Sequence, residues 1–333
     1  MIRKSALLRP FVSFTLSNEN KRYKKYISNF SHPENTIIND FITNYDLIEK
    51  YTLDGHCTKQ FAMINKSQLE HYFRQAKKRN NHFETYLEDK DIISTQIPQN
   101  ISILIKKENY NDIALEIYGC KVLNFFGVPT CYNFPIKDKF GNFLLGSIDF
   151  IKPNEEFYTY AQYSRGEIFS GTDSLKQINY SGVIAINEFS KRHLLFLSKS
   201  KKEELLKELI YSATIRKLVL GDSDFRSGNF GLLYNKKSHT LRNSPNFDFD
   251  YLFKSYPNHE QELRWLKAYY PELYENFKQK FNEFSKKHIY LDFLTQIKKE
   301  HLKKLIEQIE SKINSIQMTI NMLEKESNQP LQQ

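Results

Sequence analysis

The chain has 333 residues, with 48 Lys and Arg against 39 Asp and Glu for a formal charge of +9. That length accommodates two lobes with cores of their own, and the positive balance favours phosphate-bearing partners such as nucleotides, nucleic acid or anionic lipid without choosing among them. Cys57, Cys120 and Cys131 lack CxxC spacing, so neither a disulfide framework nor a zinc knuckle is indicated; no apolar run reaches transmembrane length, and Arg9 and Pro10 break the opening run before a signal segment forms, so a soluble protein is expected.

Residues 1–45 show no clear period and are expected to form an N-terminal extension. Residues 51–65 read as strand, glycine turn at Gly55, and a second strand through Phe61 and Ile64; residues 69–79 predict a short basic helix. Residues 100–105 form an apolar strand that ends at Lys106. Leu115, Tyr118, Val122 and Phe125 recur at helical spacing, so the next element is a helix over 112–126, with Asn111 and Asp112 as cap candidates and Gly127 as its stop. Strands at 130–135 and 143–150 flank turn chemistry at 138–142. Ser200 and Glu203 form a capping box for a helix running to Leu220 and ended by Gly221. A hairpin over 230–234 and 240–247 follows. Beyond Pro257 the chain reads as helical, and Leu302, Leu305, Ile309, Ile313, Ile316, Ile320 and Leu323 form a seam expected to pack on the neighbouring helices. The expected architecture is α+β and two-lobed: a small sheet-rich N-lobe at 46–151 and a mostly helical C-lobe at 152–330.

The chemistry concentrates in the loop from Gly221 to Asn229. Asp224 and Asn229 stand five positions apart, the spacing of the catalytic aspartate and metal-binding asparagine in a kinase catalytic loop. Antiparallel pairing of the following hairpin returns the chain, so Asn229 and Asp248 are expected at the same end, where oxygen ligands suit Mg²⁺. Asp224 then orients or deprotonates an acceptor hydroxyl, Asn229 and Asp248 hold magnesium against ATP phosphates, and Arg226 offers a cation to the transferred phosphoryl group. Upstream, Lys106 leads into the helix bearing Glu116, a pair suited to positioning the α/β-phosphates; Lys107 is its local competitor. The stretch from Thr52 through Gly55 to Lys59 offers a phosphate-cradling turn.

Together these segments, from Tyr51 to Phe253, resemble the HipA-like serine/threonine kinase family. The Thr52–Lys59 stretch is similar to its Ser-Ile-Ala-Gly-x-x-x-Lys loop, with Thr52 where the family autophosphorylates serine. The strand to Lys106, the helix from Glu116 to Gly127-Val128-Pro129, and Ser147-Ile148-Asp149-Phe150 resemble the family's lysine strand, its helix and its hinge. Most specific are Gly221-x-x-Asp224-x-x-x-Gly228-Asn229-Phe230-Gly231 and Pro245-Asn246-Phe247-Asp248, which resemble the catalytic loop and metal motif. Asp222 stands where the family usually has Asn, and Arg226 where it usually has His. The resemblance implies a kinase-like fold, ATP and Mg²⁺ as cofactors, and nucleotide contacts at Asp149 and Phe150. It also implies a protein Ser/Thr acceptor, self-inhibition through Thr52, an antitoxin partner, and a place in the bacterial cytoplasm or, after secretion, in a host cell. No membrane or specific nucleic-acid partner is expected.

Three other readings compete. A catalytically weak pseudokinase keeps the nucleotide site; a basic nucleic-acid binder rests on the charge and the run from Arg74 to Arg79; an interaction protein rests on the C-terminal seam. No HExxH or GxSxG occurs, which leaves zinc hydrolysis and acyl transfer without candidate residues.

Overall fold

The computed structural model describes residues 46–48, 59–65, 67–68, 100–151, 154–249, 251–294 and 299–327. Thr52, Gly55, Cys57, the N-terminal extension and the basic helix expected at 69–79 lie outside the described residues.

Strands β1 (Asp46–Ile48), β2 (Lys59–Asn65) and β3 (Asn100–Lys106) pair antiparallel in sequence order. Helix α1 (Tyr110–Phe126) intervenes before β4 (Asn133–Lys137) and β5 (Phe143–Ile148), which complete a five-stranded sheet of order β1-β2-β3-β5-β4. Strand β1 pairs with β2 from 46–48, upstream of the strand expected from 51, and residues 51–58 lie outside the described residues. In β3, Ile103, Leu104 and Ile105 are all buried, as befits a strand flanked on both edges and covered on both faces.

Helix α1 starts two residues earlier than expected because Asn109, not Asn111 or Asp112, is the cap: its Oδ1 accepts from the amides of Asn111 (3.0 Å) and Asp112 (3.1 Å). Gly127 stops it in the left-handed conformation at φ 80°, its amide bonding the Asn124 carbonyl. From Ile113 onward α1 is buried nearly all round, the signature of a central helix.

The chain continues through β6 (Glu155–Thr159), a 3₁₀ turn (Tyr160–Tyr163), α2 (Leu175–Arg192) and α3 (Lys199–Thr214). Ser198, rather than Ser200, caps α3, accepting from the Lys201 amide at 3.1 Å. The helix expected to continue to Leu220 instead widens into a π-helical turn (Ile215–Val219), an insertion that frequently marks a functional site. Strands β7 (Gly231–Asn235) and β8 (Thr240–Asn243) form the expected hairpin, joined by β6 into a three-stranded sheet of order β6-β7-β8. Strand β8 stops at Asn243 rather than 247 because the chain then pairs elsewhere: Asn246 donates from its amide to the Pro129 carbonyl (2.9 Å), and its own carbonyl accepts from the Cys131 amide (2.8 Å).

Helices α4 (His259–Tyr269), α5 (Pro271–Lys286), the short α6 (Ile289–Asp292) and α7 (Lys299–Ser327) complete the fold. Phe125 and Phe126 of α1 pack on Phe277 and Phe284 of α5, so the central helix joins the sheet to the helical part. The seam residues Leu305, Ile309, Ile316, Ile320 and Leu323 are buried within the molecule. Cys120 and Cys131 are free, buried thiols. Among the described residues no helix is long and apolar enough to cross a membrane.

Candidate functional site

Lys106 is the last residue of β3, and strand alternation turns it inward while Lys107 faces solvent. Its ammonium lies 2.8 Å from Glu116 Oε1, 3.5 Å from Glu108 Oε1, and bonds Asp248 Oδ1, a residue 142 positions away. Burial by itself would lower the lysine pKa, but the carboxylates of Glu116, Asp248 and Glu108 outweigh it and hold the group well above its ordinary value. Conversely, burial would raise Asp248; the charges of Lys106, Lys59 and Arg216 overcome that and keep it ionised below the usual carboxylate range. Lys59 sits directly across β2–β3 from Lys106 in the sheet register, so two cations share this end of the sheet.

The second oxygen of Glu116 accepts from Asn133 Nδ2 at 3.0 Å. Asn133 Oδ1 in turn accepts from the Ser147 hydroxyl and from the Cys131 thiol at 3.4 Å. This buried polar chain ties α1 to β4 and β5, and Asn133 was not singled out by the sequence. A neutral amide at a strand start carries no periodic signal.

Gly221 opens the loop at φ +57°, where a Cβ would strike Lys312 and the Ser255 carbonyl. Asn229 donates from Nδ2 to the Asp224 carboxylate at 2.7 Å and to its carbonyl at 3.2 Å, which leaves Asn229 Oδ1 as the atom available to a metal. Arg226 lies 3.3 Å from Asp224 Oδ1 and is half exposed. At the far end of the loop, the Ser244 amide bonds the Gly231 carbonyl (2.7 Å) and the Gly231 amide bonds Ser244 Oγ (3.1 Å), so Asn229 and Asp248 leave the hairpin from its same end. Asp248 itself holds φ at +66°, a left-handed conformation that is costly for a residue with a Cβ and concentrates at functional sites.

Asp149 and Phe150 follow β5, the Asp149 amide bonding the Ser102 carbonyl at 3.0 Å. The Phe150 ring is buried, stacked 5.5 Å from Phe247, the residue before Asp248, and edge-on to Phe157 at 5.7 Å. Arg216, in the π-helical turn, is a further residue that the sequence reading passed over: fully buried, it bonds Asp222 and the carbonyls of Phe247 and Asp248. Its sequence signal is a charge inside the apolar run from Ala213 to Leu220.

The donor set fits a magnesium nucleotide. Among the described residues no three His, Cys, Asp or Glu side chains gather into a self-sufficient metal cage. Mg²⁺ in phosphoryl-transfer sites takes only one or two protein groups and completes its shell with phosphates and water, so Asp248 with Asn229 is enough.

No family model matches the chain, and no curated protein sequence matches it. Among solved structures the chain is similar to the Helicobacter pylori proinflammatory kinase CtkA, with a TM-score of 0.51 and 13% identity over 84% of this chain and 99% of that one. It is also similar to a chain of the Shewanella oneidensis MR-1 complex of HipA, HipB and operator DNA, with a TM-score of 0.44 and 9% identity over 96% of this chain and 75% of that one. The likeness to CtkA is one of fold: an α+β, two-lobed, kinase-like arrangement.

Proposed function

We propose that this chain is an ATP- and Mg²⁺-dependent protein kinase of the HipA-like type that phosphorylates serine or threonine. One observation carries the reading: Lys106 joins Glu116 of α1 and Asp248 of the hairpin end in a single buried cluster. Removing these charges from water is costly, and an apolar core would stabilise the fold at least as well. The same three groups are what phosphoryl transfer requires: a lysine for the α/β-phosphates, a glutamate to aim it, and an aspartate for the metal.

In this reading Lys106, seconded by Lys59, orients the phosphates, and Asp248 with Asn229 Oδ1 provides the metal ligands. Bound magnesium would neutralise charge on the phosphates. Asp224, held in place by Asn229, accepts the proton of the acceptor hydroxyl, and the exposed guanidinium of Arg226, 3.3 Å from Asp224, would offer its charge to the transferred group. Positioning and electrostatics supply most of the acceleration. Phosphorylation of Thr52 would add charge within the nucleotide loop and inhibit the enzyme. A protein acceptor, an antitoxin partner, and action in the bacterial cytoplasm or as a secreted effector belong to the same proposal and rest on the motif resemblance.

The test is label transfer from γ-labelled ATP with Mg²⁺, alone and with bacterial or host lysate. Asp224→Ala is expected to lower transfer by roughly 10²–10⁴-fold with nucleotide binding retained, and Asp248→Ala to remove both transfer and magnesium-dependent ATP binding. Transfer that survives both substitutions, or a parent protein without magnesium-dependent ATP binding, would refute the proposal.

A further inference from the structure

Among the described residues, the Arg216 guanidinium bonds two segments of chain. Its Nε lies 2.6 Å from Asp222 Oδ2, and the terminal nitrogens donate to the carbonyls of Phe247 (2.9 Å) and Asp248 (2.7 Å). The guanidinium is sandwiched between the rings of Phe225 and Phe249, its carbon 4.8 and 4.5 Å from their centroids. Phe225 directly follows Asp224, and Phe249 directly follows Asp248. The other oxygen of Asp222 accepts from the Asp224 amide at 2.9 Å. Phe249 in turn seats against Gly119, one turn along α1 from Glu116, where an added Cβ would lie 2.9 Å from the ring.

We infer that Arg216 is a positioning residue for phosphoryl transfer, fixing the spacing between the segment that carries Asp224 and the segment that carries Asp248. The inference rests on the kinase reading above. Three properties make the guanidinium suited to this task. It is planar with donors on both edges, so one side chain serves a carboxylate and two carbonyls at once, which an ammonium cannot do with fixed directions. It is 0% exposed and its partner Asp222 is 0% exposed, so the pair resists rearrangement by water. Its bond to the Asp248 carbonyl holds the peptide of the very residue whose left-handed φ is costly. The aspartate at 222, where a HipA-like kinase usually has asparagine, is accounted for by the same geometry: it is the counter-charge of Arg216 and also accepts from the Asp224 amide.

The experiment compares the parent with Arg216→Met, Arg216→Lys and Asp222→Asn. Magnesium-dependent and magnesium-free ATP binding are measured by calorimetry, and amide hydrogen exchange is followed on the ligand-free proteins. Arg216→Met is expected to weaken magnesium-dependent binding by roughly 10–100-fold, to leave magnesium-free binding near the parent value, and to raise exchange in 222–227 and 247–249 together while α4 and α5 stay protected. Arg216→Lys should restore little of this, because charge without the fork is not enough. If Arg216→Met fails to fold, Asp222→Asn, which keeps an acceptor for the Asp224 amide, decides: the same paired rise in exchange supports the inference. Exchange that rises in one segment only or uniformly through the chain overturns it, as does magnesium-dependent binding within twofold of the parent. A parent protein that shows no magnesium-dependent binding overturns the kinase reading itself, and is recognised before any variant is compared.

Discussion

Glu116 is fully buried, and its two oxygens are divided between a charge, on Lys106, and an amide, on Asn133. The ion pair gives its carboxylate a counter-charge; the amide fixes which way the carboxylate faces, since Asn133 is itself held by Ser147 and Cys131. Asn133→Ala removes the donor and leaves a carboxylate oxygen without it inside the protein, at an expected loss of about 1–3 kcal/mol. Urea unfolding measures this directly, and an unchanged midpoint and slope would show that the network contributes no net stability. The residue scale also marks where reading the sequence succeeds. Lys106 and Glu116 were legible because a lysine closing an apolar strand just before a helix is a pattern. Asn133 was not, because Glu116 lies 17 positions away and no local regularity announces the pair. Arg216 is marked by its charge in the run from Ala213 to Leu220, but its task depends on carbonyls 31–32 positions downstream that no local pattern points to.

Elements were legible where their own ends carry the signal. Gly127 and the apolar spacing reveal α1, and the Asp138 turn reveals the β4–β5 hairpin, with Asp138 accepting from the Phe140 and Asn142 amides. Strand β6 was missed: it opens on two glutamates and pairs with β7, 72 to 80 positions downstream. Helix α2 was missed because it carries Gly182 and β-branched residues of low helix propensity. That glycine is what lets α3 approach, since a Cβ there would lie 2.5 Å from Leu209 Cδ2. A second close approach bears on the site. Gly171, in the loop before α2, would place a Cβ 2.6 Å from the carbonyl oxygens of both Asp222 and Ser223, and backbone on both sides leaves nothing flexible to give way. The loop is further bound by the Ser227 amide, which bonds the Phe169 carbonyl at 3.0 Å. Gly171→Ala should therefore cost about 1–3 kcal/mol and displace the loop from Gly221 to Asn229, which under the proposed kinase function lowers transfer more than ATP binding. Equilibrium unfolding together with kcat and KM checks this; parent-like values of all three would contradict it.

At the scale of the whole molecule, α7 fastens the helical part to the base of the loop from Gly221 to Asn229. Its seam was legible as a heptad-like repeat, but a buried charge beside it was not: Lys312 is buried, donates to the Ser255 carbonyl at 2.7 Å, lies 4.5 Å from the Tyr256 ring centroid, and fills the space a Cβ on Gly221 would need. Burial alone shifts it, bringing its pKa down to about 8. His259 of α4, bonded to Ser315 at 2.8 Å, is brought down to about 4 by burial and then by the charge of Lys312. Both are bases depressed in the folded state, while the unfolded chain titrates near the ordinary values of about 6.5 for His and about 10.4 for Lys. Between each pair of values the unfolded chain holds a proton that the native state has released, so these groups make stability rise with pH, first from about 4 to 6.5 and again from about 8 to 10.4. Lys312→Met removes the buried charge at the cost of one hydrogen bond, and is expected to stabilise the protein at pH 7 by roughly 1–3 kcal/mol. The advantage should shrink steadily from pH 8 to pH 10 as the parent lysine loses its proton on folding. Urea unfolding of both proteins at pH 7, 8, 9 and 10 isolates the effect, because His259, the group whose pKa the Lys312 charge lowers, titrates below that range. A stability difference that stays constant across that range would mean that Lys312 keeps its charge in the fold, and that α7 is fastened by an ammonium fully compensated by the Ser255 carbonyl and the Tyr256 ring.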